Sequence, residues 1–360
     1  MHIASRFILL TALLALAVPA RAADDWDAVV ARAKSKTLVM NHQPDDAIDV
    51  IIAAFTKKYG IAVQATSERP SQGSARIATE QKNGQFGWDV WWGGSSNMSL
   101  NAAPAGMLEP LDKILILPEV TDVANWRSAD FIYGDTDKRV FTYMNYIDFG
   151  MLRNMHVLPD LKIDTLDALL DPRLKGKISL RDASEPNFSN DMLATIVKQK
   201  GGDFLKRVLV EQQPKIYSNQ QLLLTDITRG GQALSIGLDG IIVQRCKTDG
   251  GCTDAQQVKK FGIALSWGVS VPKNPPHLDA ARVFINWFLG KEGQEELVRN
   301  WPKYNDAGAV SMRKDVPPSP GAEDRLPDFS NPDQYAFISS EKGAKEVALA
   351  TQIFKEATGH

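Results

Sequence analysis

The chain has 360 residues, 44% of them hydrophobic and 23% charged, with a formal net charge of −2. This is an ordinary globular composition, and the length exceeds what a single hydrophobic core usually holds, so two domains are expected. The near-neutral balance excludes a basic nucleic-acid binder and a polybasic membrane-surface protein, and the chain has no repeat of 20–50 residues.

The first segment reads as an export signal. Residues 1–6 are a short basic start, residues 7–18 are apolar apart from Thr11, and Pro19-Ala20-Arg21-Ala22 offers a small-x-small cleavage site. Cleavage is expected after Ala22, giving a soluble exported protein that starts at Ala23. Losing Arg6 and Arg21 takes the net charge from −2 to −4. The apolar run of about 12 residues is too short to cross the roughly 30 Å hydrocarbon layer as a helix.

Strand and helix patterns alternate from residue 37 onward. Residues 37–41 form a short apolar strand. Residues 44–59 follow as a helix, with Ile48, Ile51, Ile52 and Phe55 on one face, Pro44 in the first turn, and Asp45 and Asp46 at its positive end. Residues 61–66 are a strand, residues 73–83 a helix opened by the loop Ser71-Gln72-Gly73-Ser74, and residues 89–92 a strand running into Gly93-Gly94-Ser95-Ser96. This βαβαβ order implies a parallel sheet covered by helices.

A second α/β series begins near Asp164. Its strands are expected at 177–181, 215–218 and 233–239, and its helices at 189–200, 203–212 and 219–229, with Gly201-Gly202 and Gly230-Gly231 as helix stops. Residues 261–272 are extended, residues 277–300 form one amphipathic helix, residues 301–338 read as a long surface excursion, and residues 340–358 form a last helix. Cys246 and Cys252, in an exported chain with no histidine nearby, predict a disulfide around a small turn, contributing about 2–3 kcal/mol.

Several segments together carry a resemblance. They are residues 55–66, Gly87-Trp88-Asp89-Val90-Trp91-Trp92-Gly93-Gly94, Thr165 to Leu180 (with Asp171-Pro172-Arg173-Leu174-Lys175-Gly176-Lys177-Ile178) and Lys273 to Gln294. In order and spacing the chain resembles the extracellular substrate-binding proteins of ABC importers, in the group that includes the periplasmic ferric-iron binders. The resemblance spans most of residues 37–300. It implies an α/β, two-lobed periplasmic-binding-protein fold of type II, with two interrupted mixed sheets, a hinge and a central cleft. Crossings are expected near 141–146 and 261–267. Lobe one is then 23–141 with 267–301 returning to it, lobe two is 147–260, and 302–360 is a C-terminal excursion and helix packed near the hinge. The implied partners are a small-molecule ligand and a membrane ABC permease, with a monomeric protein in the periplasm and no cofactor.

The candidate ligand residues lie at the ends of strands, where ligands of α/β sheets bind. Asn41 and His42 end the first strand, and His42 suits a metal, an anion or a plain surface position. Ser74, Gly94, Ser95 and Ser96 lie in the loops after the second and third strands, where glycine and free N–H groups suit an anion. Asp182, Ser189 and Asn190 follow a lobe-two strand, and the last two suit a helix cap as well as a ligand. Asp239 ends another strand and serves equally as a turn residue before Gly240. Tyr143 and Trp267 lie on the two crossings, and of the adjacent Trp91 and Trp92 one ring is expected in the core and the other near the loop face. No metal site is expected. The ferric binders place two adjacent tyrosines where this chain has Leu238-Asp239-Gly240-Ile241, which puts iron in doubt.

The chain has no Gly-x-Ser-x-Gly, no His-Glu-x-x-His, no phosphate loop and no free-standing catalytic cysteine pattern, so no enzyme activity is expected. The competing classes are an exported hydrolase or lyase and a sensory partner of a membrane receptor. The Ser, Gly and Asn loops favour a phosphorylated or carboxylated organic ligand. A polyamine-type cation, using Trp faces and Asp groups, and ferric iron are the alternatives.

Overall fold

A computed structural model describes residues 25–360 apart from Pro186, Tyr304, Asp306 and Ala307. The export signal and its cleavage site lie outside the described residues.

The chain opens with helix α1 (Trp26–Ala33), strand β1 (Thr37–His42), α2 (Asp46–Tyr59), β2 (Ala62–Ser67), α3 (Pro70–Lys82), β3 (Val90–Gly94), a short α4 (Pro118–Thr121) and β4 (Val140–Asp148). Local chemistry sets these limits. The Asp45 carboxylate accepts from the Ala47 N–H at 2.9 Å and starts α2, and Gly60, at φ +70°, ends it. Ile48, Ile51 and Phe55 turn the apolar face of α2 into the core, fully buried. The segment Ser71-Gln72-Gly73-Ser74 is the first turns of α3, not a loop, because Pro70 can take the first helical position.

After β4 the chain runs through Phe149-Gly150 into β5 (Met151–Asn154). There follow β6 (Ile178–Arg181), α5 (Phe188–Lys200), α6 (Gly202–Gln212), β7 (Lys215–Tyr217), α7 (Gln220–Thr228), β8 (Leu234–Ile236), α8 (Gly240–Thr248) and β9 (Ala255–Gln257). The chain then returns along β10 (Ile263–Ser270) to α9 (Leu278–Leu289), α10 (Lys291–Asn300), β11 (Ala336–Phe337) and α11 (Ala344–Thr358).

Two mixed sheets result. The first has the order β11-β10-β3-β1-β2, with β4 on the far flank of β10, and the second has the order β7-β6-β8-β5-β9. β1 pairs in parallel with β2 and β3, while β10 runs antiparallel to β3 and β4. β10 lies along the full length of β4, from Ile263 opposite Asp148 to Ser270 opposite Val140. This antiparallel pair carries the chain out of and back into the first sheet, as two crossings of a hinge require.

Each sheet has its own core. The first gathers Trp92, Phe141, Tyr143, Phe284 and Phe288 around α2 and α9. The second gathers Leu180, Met192, Ile196, Leu234 and, from the last helix, Ala350, Ile353 and Phe354. α11 packs on α5 and α6, helices that cover the second sheet. Trp91 and Trp92 are both buried, because β3 is covered on both faces: Trp91 packs on Trp88 and Trp92 packs on Phe288.

Three further expectations change. The helix expected over 277–300 is two helices, since Gly290 is extended (ψ 167°) and Gly293 packs so closely that a Cβ there would lie 2.4 Å from the Trp287 carbonyl oxygen. The region 301–338 is more than a surface excursion. Met312 lies in the first core, and β11 adds to the sheet. Gly240–Thr248, for which the sequence pattern suggests no element, is a helix.

Cys246 and Cys252 are paired around the turn that ends α8, with Cys252 packed beside Leu152, Leu223 and Val243. Thiol labelling of the unfolded, unreduced protein is therefore expected to find no free thiol, and two labelled cysteines per chain would refute the pairing.

Candidate functional site

A cavity of about 970 Å³ opens between the lobes. Ser96 and Leu100 line it from the loop after β3, Asn187, Phe188 and Asp191 from the start of α5, and Asp239 from the turn after β8. Leu265 of β10 lies at its back. α11 forms a whole wall, with Val347, Thr351, Lys355 and Glu356 facing the space.

The N-terminus of α5 is rigidly built. Asn187 caps it by accepting from the Ser189 N–H at 2.9 Å, and Asn190 accepts in return from the Asn187 N–H at 2.9 Å. The Asn190 amide also donates to the Ala183 carbonyl and to Thr351 Oγ1, both at 2.7 Å, which ties α11 to this turn. Asn190 is fully buried and its hydrogen bonds are all internal. Ser189 is also fully buried, its hydroxyl has no partner, and it faces Gly237 instead of the cavity.

On the lobe-one side the turn after β3 is closed by its own bonds. Gly94 N–H donates to Gln43 Oε1 at 3.1 Å. Ser95 is fully buried, its N–H donates to the Ser266 carbonyl, and its hydroxyl reaches the carbonyls of Ser266 and Ser339 at 3.1 and 3.0 Å. Ser96 alone of this group reaches the cavity.

The remaining candidates do not line it. Asn41 is buried and donates to Glu68 at 2.9 Å. His42 is buried, with Nδ1 2.9 Å from the Gln43 carbonyl oxygen and Nε2 3.7 Å from Asp49. Ser74 is on α3. Tyr143 is in the first core, where its hydroxyl accepts from Trp92 Nε1 at 2.6 Å. Asp182 accepts from the Ser184 N–H at 2.8 Å and lies 3.5 Å from His360, contacts that hold its carboxyl below the usual range. Trp267 lies edge-on against Trp301, with ring centroids 4.8 Å apart. Of the twelve candidates, the structure therefore brings Ser96 and Asp239 to the cavity, with Ser189 and Asn190 immediately beneath its floor.

Several groups at the cleft were not picked out from the sequence. Asp191 faces it in the first turn of α5, and burial, with no compensating hydrogen bond, pushes its carboxyl up to about 7. Asp148 ends β4 at the hinge. Burial raises it to about 7, Arg325 opposes that shift, and Asp239 adds to it. Arg325 comes from the segment 301–338 and lies 4.4 Å over the Tyr146 ring, with its Nε donating to the Ile147 carbonyl at 3.2 Å. The hinge is thus a knot of Tyr146, Asp148, Asp239 and Arg325, of which Asp148 is buried and the others are half-buried. Among the described residues no group of three or more His, Cys, Asp or Glu is placed to hold a metal ion.

The comparisons with known proteins agree with this architecture. The family model for bacterial extracellular solute-binding proteins matches residues 50–229, half of the chain. A relative from Haemophilus influenzae, described only as an uncharacterized protein, is 27% identical over 276 residues, which is 74% of this chain and 76% of that one. Among solved structures, ferric iron-binding protein A from Mannheimia haemolytica in an open conformation superposes with a TM-score of 0.67 at 16% identity, over 89% of this chain and 98% of that one. Iron-bound HitA from Pseudomonas aeruginosa gives 0.63 at 19%, over 90% and 99%. The periplasmic binding protein AfuA from Actinobacillus pleuropneumoniae, with fructose-6-phosphate bound, gives 0.58 at 20%, over 87% and 96%. At these identities the likeness to the solved structures is one of fold.

Proposed function

We propose, from the premise that the chain belongs to the family of bacterial extracellular solute-binding proteins, that it closes two lobes on a small organic cation in the periplasm and delivers it to an ABC permease. Proteins of this family bind and hand over solutes and are not enzymes. The lobes proposed are residues 23–141 with 267–301, and 147–260, hinged on the β4–β10 pair. The two separate cores and the single long antiparallel pair support that division. The packing of α11 on α5 and α6 supports placing the last helix with the second lobe, so that it travels with that lobe when the cleft closes.

One observation carries the ligand class. The cavity is walled by the carboxylates of Asp191, Asp239 and Glu356 and by the ammonium of Lys355, on a floor of apolar side chains such as Leu100, Phe188 and Leu265, and carboxylates still outnumber cations when Arg325, which shares the hinge with Asp239, is counted. A phosphorylated or carboxylated ligand, the reading the Ser and Asn loops favour, would meet like charge there. Ser95 and Asn190, on which that reading leaned, already bond within the protein. A cation with an apolar body, such as a polyamine, fits both the charge and the floor.

Titration calorimetry with spermidine and, separately, fructose-6-phosphate and ferric citrate tests this. Spermidine is expected to bind saturably, and small-angle scattering is expected to show a smaller radius of gyration in its presence. A ligand shifts the open–closed equilibrium only if it prefers the closed state. Saturable fructose-6-phosphate binding without spermidine binding, or a coloured ferric complex, would overturn the reading.

A further inference from the structure

Lobe two carries a second cavity, of about 430 Å³, at the β9 edge of its sheet, and no residue lines both this cavity and the cleft. Its walls hold five cationic side chains, Arg153, Lys162, Lys247, Lys259 and Lys260, against one carboxylate, Asp164. We propose that this cavity is a binding site for a small oligophosphate, a molecule carrying two or more linked phosphate groups.

The placement is built, not incidental. Arg153 on β5 stands opposite Gln256 on β9, so both side chains share one face of the sheet, and both line the cavity. The Arg153 guanidinium is anchored through one terminal nitrogen on the Leu158 and Pro159 carbonyls, while its buried Nε–H has no partner. A buried donor left unpaired is costly, and an anion oxygen would complete it. Lys247 lies in the last turn of α8, next to Cys246, so the Cys246–Cys252 link fixes the strip of backbone that presents it. Partial desolvation at the cavity wall and then the Lys259 charge hold the Lys247 ammonium below its usual range, although the side chain as a whole is exposed. Lys259 has one acidic neighbour, Asp324, across a partly exposed ion pair, where screening makes the attraction weak. A single phosphate cannot touch cations spread around a cavity of this size, whereas linked phosphates can reach several at once. Multiple charge-assisted bonds to one ligand then add without a second ordering cost.

The test is titration calorimetry of the exported protein with sodium tripolyphosphate and with inorganic phosphate at low ionic strength. One tripolyphosphate per chain is expected, at least ten-fold tighter than inorganic phosphate. Lys247→Ala/Lys260→Ala and, separately, Lys162→Ala/Lys259→Ala should each weaken it by ten-fold or more. All four lysines are exposed, so the melting temperature of both variants should match that of the parent. Asp191→Asn, in the cleft, should leave tripolyphosphate affinity unchanged. Absence of saturable binding, full affinity in both lysine variants, or loss of binding in Asp191→Asn would each overturn the proposal. These outcomes are independent of which ligand the cleft takes.

Discussion

Asp191→Asn is expected to raise the melting temperature of the ligand-free protein at pH 8 and to weaken cation binding at least ten-fold. The carboxyl of Asp191 titrates near 7 in the folded chain, against an ordinary value of 3.8. Between pH 4 and 7 the native state therefore holds a proton that the unfolded state has lost, so stability falls as pH rises through that window. Above pH 7 the whole penalty is present. Three pH units correspond to about 4 kcal/mol if the group were fully enclosed. The side chain is only partly buried, and solvent reduces this to about 1–2 kcal/mol. At about 2–4 °C per kcal/mol for a domain of this size, the gain should be several degrees. At pH 4 the native carboxyl is neutral, like the amide, so the two proteins should melt alike. Differential scanning calorimetry at the two pH values checks this, and a gain that is equal at pH 4 and pH 8, or absent at both, would falsify the desolvation account. A site that destabilises its own apo state so as to hold a cation is the usual exchange of stability for binding. For the same reason spermidine affinity is expected to rise with pH up to about 7 and then level, as the ligand displaces the proton from Asp191.

Much of the architecture was legible because it depends on local periodicity. Ile48, Ile51 and Phe55 announce α2 by their spacing, and Gly201 and Gly230 announce helix ends through the turn they allow. The site was less legible, because a side chain's role there depends on what lies across the cleft. Ser95 and Asn190 look like ligand donors from their neighbours in sequence, yet Ser95 bonds to Ser266 and Ser339, and Asn190, besides its local bonds, reaches Thr351, partners from 161 to 244 residues away. Asp191 carries no local mark of its role, because one residue's rotation along α5 separates a cap from a cavity wall. Arg325 was invisible for another reason: nothing local distinguishes it within a Pro- and Asp-rich segment, and only the return of that segment to the hinge sets it over Tyr146. Tyr143 alternates correctly along β4, but the strand is covered on both faces, so alternation did not tell cleft from core.

Gly237→Ala is the substitution expected to damage the cleft most. Gly237 follows β8 with φ +94°, a conformation costly for any residue with a Cβ. The chain here threads between two walls. Gly237 and Leu238 donate their N–H groups to the Gly150 carbonyl at 2.9 and 3.2 Å, which ties the β8 end to the hinge. On the other side a Cβ would lie 1.9 Å from Ser189 Oγ, 2.8 Å from its Cβ and 3.0 Å from its Cα. Backbone strain of about 1 kcal/mol and overpacking of about 1–3 kcal/mol act together, so a loss of about 3 kcal/mol is expected in urea unfolding. Because Asp239 is two residues on, the strained turn should also move that carboxylate, and spermidine affinity should fall in the fraction that stays folded. Ser189→Ala separates the causes. Alone it removes a buried hydroxyl that has no partner, so it should be neutral or slightly stabilising. Combined with Gly237→Ala it relieves the 1.9 Å clash but leaves the new methyl pressed against the rest of residue 189, and it leaves the positive φ. Only part of the loss should therefore return. Complete rescue by Ser189→Ala would show that the hydroxyl contact alone makes glycine necessary. A Gly237→Ala protein within about 0.5 kcal/mol of the parent would mean that α5 yields freely at its first turn, and that turn could not then hold Asp191 and Asp239 at a fixed separation across the cleft.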